Sequence, residues 1–337
     1  MNYTDNNIET SYKKILQSYL DTGSEQVLYE AQQFTRTLLE HQTSPEELVS
    51  LHRSIMDQLY PDLPEDIQAS FDFLLEAMMG YGMAYREHQI LRDRQQELEA
   101  EIDVAAKMQQ TLLPREELSV EGLDVGVVSV PAKKMSGDYY HYVTDQFGGV
   151  GLSISDIIGK GVPAALCMSM IKYAMDSLPE QQLNPSALLE SLNRVVEQNV
   201  DDSMFVTMMY GYYDSKSHEF TYSGAGHEPG FFYCAQKDSF EDLSAKGLVL
   251  GVSRKATYRE YVKQLSVGDF IVFLTDGVTE CRVGDEFFER EEIVTMLRKS
   301  IHLSAQEIVE NVYRELSKLQ DFSLRDDLTL IILRRNV

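Results

Sequence analysis

Apolar residues in the first 110 positions recur at helical spacing. Leu48, Leu51, Ile55 and Leu59 fall on one face, and the only glycines between Met1 and Gln110 are Gly23, Gly80 and Gly82, so this stretch reads as all-helical. One helix start is explicit: Ser44 can cap, Pro45 suits the first helical position, and Glu47 sits where a capping box places its carboxylate. Another is expected at Pro64. Its apolar positions Ile67, Phe71, Leu74 and Met78 form a stripe that a lone helix cannot hide, which predicts a helical bundle over residues 1–84.

From Tyr85 to Leu113 charge rises, and Leu91, Leu98, Ala105 and Leu112 stand seven apart with Ile102 beside them. That is the spacing of a coiled-coil seam, ended by Pro114. Residues 85–113 are therefore read as a helical linker, with two uses open: a dimer seam, or a connector packed on its own domains.

After Pro114 the pattern changes. Short β-branched runs at Val125–Val130, Val150–Ser155, Phe270–Leu274 and Leu328–Leu333 alternate with helical segments. Those segments open at Pro163, run through Leu188, Leu192 and Val196, and follow a capping box of Ser304 and Glu307 before Ile308 and Val312. Residues 114–337 form a second, mixed domain, and the whole chain is of the α+β class.

The length, 337 residues, agrees with two folding units. With 30 Lys+Arg against 54 Asp+Glu the formal charge is -24, which repels nucleic-acid backbones and anionic headgroups, so neither nucleic acid nor membrane is an expected partner. Cys167, Cys234 and Cys281 lie far apart without CxxC spacing, as reduced cytosolic thiols do. No apolar run approaches the roughly 18 residues of a membrane span, and a cytoplasmic protein is expected. No internal repeat or low-complexity tract is present.

Four aspartates each adjoin a strand-like run: Asp138, Asp156, Asp276 and Asp326. If those strand ends converge, four carboxylates repel one another, and the remedy is a hard divalent cation such as Mg²⁺ or Mn²⁺. Two such ions sharing a carboxylate activate a water and neutralise phosphoryl oxygens, which suits displacement at phosphorus. Acidic residues at strand ends are also common solvated turn formers, so spacing alone leaves both readings standing.

The local words narrow the choice. Pro131-Ala132 with Ser136-Gly137-Asp138-Tyr139-Tyr140, Ser155-Asp156-Ile157-Ile158-Gly159-Lys160-Gly161, Ala225-Gly226-His227-Glu228-Pro229, Thr275-Asp276-Gly277 and Asp326-Asp327-Leu328-Thr329 occur in order. Together, over residues 122–337, they resemble a PPM phosphatase of the SpoIIE-like bacterial branch. The resemblance implies a β-sandwich flanked by helices on both faces. It also implies two Mn²⁺ or Mg²⁺ ions, with Asp156 bridging them, the Ile157 carbonyl as a further ligand, Asp276 and Asp326 on one ion, and Asp138 binding directly or through water. The four aspartates are then catalytic through water activated by the ions. Asp327 could contact a third ion or turn the chain. Where the family often has Gly-Gly-Asp and a later acid, this chain has Ser136 and His141.

The helical N-terminal domain and linker make the likeness strongest to the partner-activated, stress-response members of that branch. For them the resemblance implies a homodimer whose N-terminal domain binds an RsbT-like switch kinase. The phosphatase domain then acts on the phosphoserine of an RsbV-like anti-sigma factor antagonist, releasing the general stress sigma factor. A non-catalytic phosphoprotein-binding scaffold is the alternative. A two-ion nucleotidyl transferase or cyclase is a further rival, but Gly159-Lys160-Gly161 lacks the glycine and the Ser or Thr of a phosphate loop. His227 reads as a turn-stabilising residue, Lys133 and Lys134 as solvated or substrate-attracting, and Cys167, Met168, Met170 and Met175 as packing.

Overall fold

The computed structural model describes residues 5–336 apart from 41, 42, 117, 160, 178–183, 202, 284, 285, 288, 321 and 323. Lys160, in the Gly-Lys-Gly word, therefore lies outside the described residues. The chain divides into two compact units, Met1–Leu98 and Glu99–Val337.

The first unit is helical, as its periodicity demands: α1 (Asp5–Thr22), α2 (Glu25–Glu40), α3 (Pro45–Leu59) and the first part of α4 (Glu65–Gln110). The capping box of α3 forms as read, with Glu47 N donating to Ser44 Oγ and Ser44 N donating to the Glu47 carboxylate. Val27, Leu38 and Ile55 are buried. On α4, Phe71 and Met78 are half-buried while Ile67 and Leu74 are exposed, so the apolar stripe is only partly covered within one chain.

α4 passes residue 84 without a break, which makes the last N-terminal helix and the linker a single element. It also stops before Pro114. The Thr111 and Leu112 amides turn back to the Met108 and Gln109 carbonyls in a tighter 3₁₀ turn. That turn takes Leu112 off the seven-residue seam and packs it, with Leu113, against the core of the second unit. Leu91, Leu98 and Ile102 remain exposed.

The second unit runs β1 (Leu123–Val130), β2 (Asp138–Thr144), β3 (Val150–Ile157), α5 (Val162–Asp176), α6 (Pro185–Asn199), β4 (Val206–Tyr213), β5 (Glu219–Ala225), β6 (Gly230–Cys234) and β7 (Ser239–Leu243). It continues with β8 (Tyr261–Gln264), β9 (Phe270–Leu274), α7 (Asp276–Thr279), a short β10 (Arg282–Val283) and β11 (Glu286–Phe287) pair, α8 (Arg290–Lys299), α9 (Ala305–Leu319) and β12 (Leu328–Arg335). Two five-stranded antiparallel sheets, ordered β1-β12-β9-β6-β7 and β2-β3-β4-β5-β8, form a sandwich.

Side-chain alternation divides each central strand between two cores. Phe270, Val272 and Leu274 pack with Ile308, Val312 and Leu316 of α9, whereas Ile271 and Phe273 meet Leu152, Ile154 and Met209 of the facing sheet. Tyr139, Met208 and Tyr210 pack outward against Cys167, Ile171, Leu188 and Leu192 of α5 and α6. The result is helices, sheet, sheet, helices, the layering that the resemblance implies. Both faces of β9 and β12 are buried, which is why these strands appear in the sequence as continuous apolar runs.

Candidate metal centre

The ladder between β2 and β3 sets Asp138 directly opposite Asp156, and Thr207 of β4 lies opposite Asp156 on its other side. In the facing sheet, the end of β9 meets the start of β12 with Leu274 opposite Leu330. Asp276, first residue of α7, and Asp326, just before β12, flank that junction. All four aspartates thus collect at one end of the sandwich.

Hydroxyls join the two sheets there. Asp138 is buried, and its Oδ2 accepts from Thr275 Oγ1 at 2.8 Å and from Thr329 Oγ1 at 2.7 Å. The Thr329 amide donates to Thr275 Oγ1 at 3.0 Å, so Thr275 is oriented as donor to Asp138. With its own proton on Asp138, Thr329 must accept from Ser129, 2.9 Å away. Sequence reasoning missed Thr275 and Thr329 as holders of Asp138, although both stand inside the words that flagged Asp276 and Asp326.

Gly137 reports the space beside Asp156. A Cβ built on it would lie 3.0 Å from Asp156 Oδ1, 3.1 Å from the Ile157 carbonyl oxygen and 3.7 Å from Asp327 Oδ2. Three oxygens face one small volume that only the missing side chain leaves open. Asp327 is buried, and its carboxylate takes the amides of Ala132 at 2.7 Å and Gly137 at 2.6 Å. Both carboxylate oxygens of Asp327 are thus engaged with backbone amides. Gly277 is equally constrained, since a Cβ there would stand 1.9 Å from the Asp327 carbonyl oxygen.

Burial holds the Asp138 carboxyl well above the usual carboxylate range, against the two threonine bonds and with the charges of Asp156 and Asp327 adding to it. Burial also raises Asp276, helped by the charges of Asp326 and Glu280. The donor set is all oxygen and the accumulated charge is unfavourable, which fits a hard divalent cation. Among the described residues, no three His, Cys, Asp or Glu side chains close on one point by themselves. The Ile157 carbonyl oxygen adds a further donor beside Asp156.

The remaining sequence candidates sit around this end or away from it. His141 Nε2 lies 3.0 Å from Asp176 Oδ1, tying β2 to the last turn of α5. Lys134 pairs with Asp103 of α4 at 2.6 Å, and Lys133 is exposed. Burial pushes the Cys167 thiol up to about 11, as befits a packing residue.

His227 is buried, and its role is not a local turn. Nδ1 is 2.8 Å from Thr207 Oγ1, while Nε2 forms no hydrogen bond, although the Leu274 backbone is near enough to offset a little of the burial. Burial brings its pKa down to about 4. The unfolded chain therefore takes up a proton as pH falls through about 6.5 that the folded chain refuses until about 4. Stability should drop by about 2 kcal/mol between about pH 7 and about pH 4.5 through this group alone. Urea denaturation at both pH values checks it, with His227→Asn expected to remove that part of the slope. An identical slope in the variant would refute it.

A family model described as Stage II sporulation protein E (SpoIIE) matches residues 146–336, and one described as Phosphoserine phosphatase RsbU, N-terminal domain, matches residues 10–84. The chain is 55% identical over 330 residues to Phosphoserine phosphatase RsbU of Bacillus subtilis (strain 168), covering 98% of each. Among solved structures, the SiaA-PP2C domain of Pseudomonas aeruginosa is similar with a TM-score of 0.63 at 21% identity, over 72% of this chain and 98% of that one. The RsbU and RsbW domains of Rv1364c from Mycobacterium tuberculosis give a TM-score of 0.55 at 27% identity, over 64% and 61%.

Proposed function

The chain belongs to the SpoIIE family and, with its RsbU-type N-terminal domain, to the RsbU phosphoserine phosphatases within it; from that premise we propose that it hydrolyses protein phosphoserine at the acidic end of the sandwich. Asp138, Asp156, Asp276, Asp326 and the Ile157 carbonyl would hold two Mn²⁺ or Mg²⁺ ions. The observation that carries the reading is that both sheets bring aspartates to one end of the sandwich, Asp138 and Asp156 side by side in one ladder with Asp156 Oδ1 and the Ile157 carbonyl oxygen beside Gly137, and Asp276 and Asp326 flanking the β9–β12 junction. Once bound, such ions activate water and neutralise phosphoryl oxygens for in-line displacement.

The chain's own residues prepare that chemistry. Asp156 lies next to Asp138 in the ladder and to Gly137 in space, and would be the carboxylate that serves both ions. Asp138 keeps one oxygen on two hydroxyls, which fixes the direction of the other. Asp327 holds the Ala132–Gly137 loop against the start of β12 and acts through the backbone it anchors. No side-chain nucleophile is required.

The substrate we propose is the phosphoserine of an RsbV-like anti-sigma factor antagonist in the cytoplasm, within the general stress response, a reading supported by the likeness to Phosphoserine phosphatase RsbU. Hydrolysis would rise when an RsbT-like partner binds the N-terminal helices. Exposed Leu91, Leu98 and Ile102 along α4 support a homodimer seam through which that binding is felt. A proline in α4 breaks the ladder at a cost of about 3 kcal/mol. Leu98→Pro and Ile102→Pro should therefore abolish partner stimulation while sparing basal hydrolysis. Stimulation equal to that of the unaltered chain would exclude this route.

The direct test is phosphate release from the phosphorylated antagonist by the full chain with Mn²⁺, with and without the kinase-like partner. Metal-dependent release that increases with partner supports the proposal. Absence of release under every condition would leave the phosphoprotein-binding scaffold.

A further inference from the structure

The backbone immediately before Asp138 is fastened from outside the sandwich. Gln109, in the last turn of α4, is buried to 6% exposure. Its Nε2 donates to the Ser136 carbonyl oxygen at 2.6 Å, and its Oε1 accepts the Ser136 amide at 2.9 Å. One side-chain carboxamide thus occupies both backbone groups of one residue, as a neighbouring strand would.

The next two residues are fastened by the site itself. Gly137 N donates to Asp327 Oδ2 at 2.6 Å, and its carbonyl accepts the Ile157 amide at 3.1 Å. The Asp138 amide donates to Ser136 Oγ at 3.1 Å. From Ser136 to Asp138 the chain has almost no freedom, and Gln109 supplies the only side-chain clamp on the Ser136 backbone among the described residues. The clamp has a firm base, because Leu112 and Leu113 pack into the core beneath β2 and β3. A second tie, Lys134 to Asp103, is half-exposed and adds little.

We propose that Gln109 is a positioning residue for the ion site: its carboxamide fixes Ser136, and through it sets Gly137 and Asp138 against Asp156 and the Ile157 carbonyl. The inference rests on reading the four aspartates as ion ligands. A glutamine is required because the bond pair needs a donor and an acceptor on one planar group. Methionine of equal length offers neither, and glutamate only accepts, setting a carboxylate oxygen against the Ser136 carbonyl.

The test is Mn²⁺ binding to the full chain, read from the loss of the free-ion electron paramagnetic resonance signal, with melting temperature measured on the same samples. Gln109→Met and the isosteric Gln109→Glu are expected to raise the Mn²⁺ dissociation constant about tenfold, the scale of losing an outer support of a ligand. A purely structural glutamine would lower the melting temperature of both variants and leave the dissociation constant within about twofold, and that result overturns the inference. If the unaltered chain binds no Mn²⁺, the reading of the aspartates falls and the inference falls with it. Binding by the unaltered chain with unchanged affinity in the variants overturns the role of Gln109 alone.

Discussion

Asp276→Asn is expected to lower phosphoserine hydrolysis by about 10³-fold, because a bound ion contributes several kcal/mol of charge stabilisation in the transition state. Asparagine has the same shape, so the start of α7 and the contact of Gly277 with Asp327 survive. What disappears is one negative charge from a cluster that also holds Asp326 and Glu280. In metal-free protein that charge is unfavourable, as its raised pKa states, so the variant should be as stable as the unaltered chain or more so.

Adding Mn²⁺ reverses the order. An ion that binds only the folded state at 100 times its dissociation constant adds about 2.7 kcal/mol, and the variant should gain much less. Thermal melts with and without Mn²⁺, run beside a phosphate-release assay, read all three effects. Retained activity in Asp276→Asn would remove this aspartate from the chemistry. Lost activity together with lost metal-free stability would point to misfolding instead.

Legibility in the sequence followed burial. Phe270–Leu274 and Leu328–Leu333 stand out because helices cover one face and the other sheet covers the second. β2 did not stand out: Asp138, His141 and Thr144 interrupt it, since its end forms the site. The helical periodicity of α4 is plain in the sequence, but the helix ends at Gln110 and not at Pro114, and Leu112 and Leu113 turn to pack against the core. The aspartates were visible through short local words. The groups that orient them were not, because Thr275 and Asp138 are 137 positions apart and Asp327 and Gly137 190 apart, and no local pattern encodes such pairing. His227 looks like a local turn residue in the sequence for the same reason, whereas its side-chain partner is Thr207 on β4.

Gly277→Ala should damage the site severely although it replaces none of the aspartates. The added methyl would sit 1.9 Å from the Asp327 carbonyl oxygen and 2.9 Å from its carbon, and both are backbone atoms that no rotamer change can move away. Asp327 cannot yield freely, since its carboxylate is bound to the Ala132 and Gly137 amides. Any displacement therefore travels to Asp326 along the chain and to the Gly137 cradle through that carboxylate. Overpacking of this kind costs about 3 kcal/mol. A shift of about 1 Å at reacting groups costs about 10²-fold in rate.

A control separates the two effects. Gly126 of β1 also faces backbone, with a Cβ 2.3 Å from the Ala305 carbonyl, but under α9 and away from the aspartates. Gly126→Ala should lose comparable stability and keep its turnover per folded molecule. Gly277→Ala should lose both, and its Mn²⁺ affinity as well. Equal turnover in the two variants at a temperature where both are folded would show that the Asp326–Asp327 backbone tolerates displacement, and that Gly277 serves the fold without serving the site.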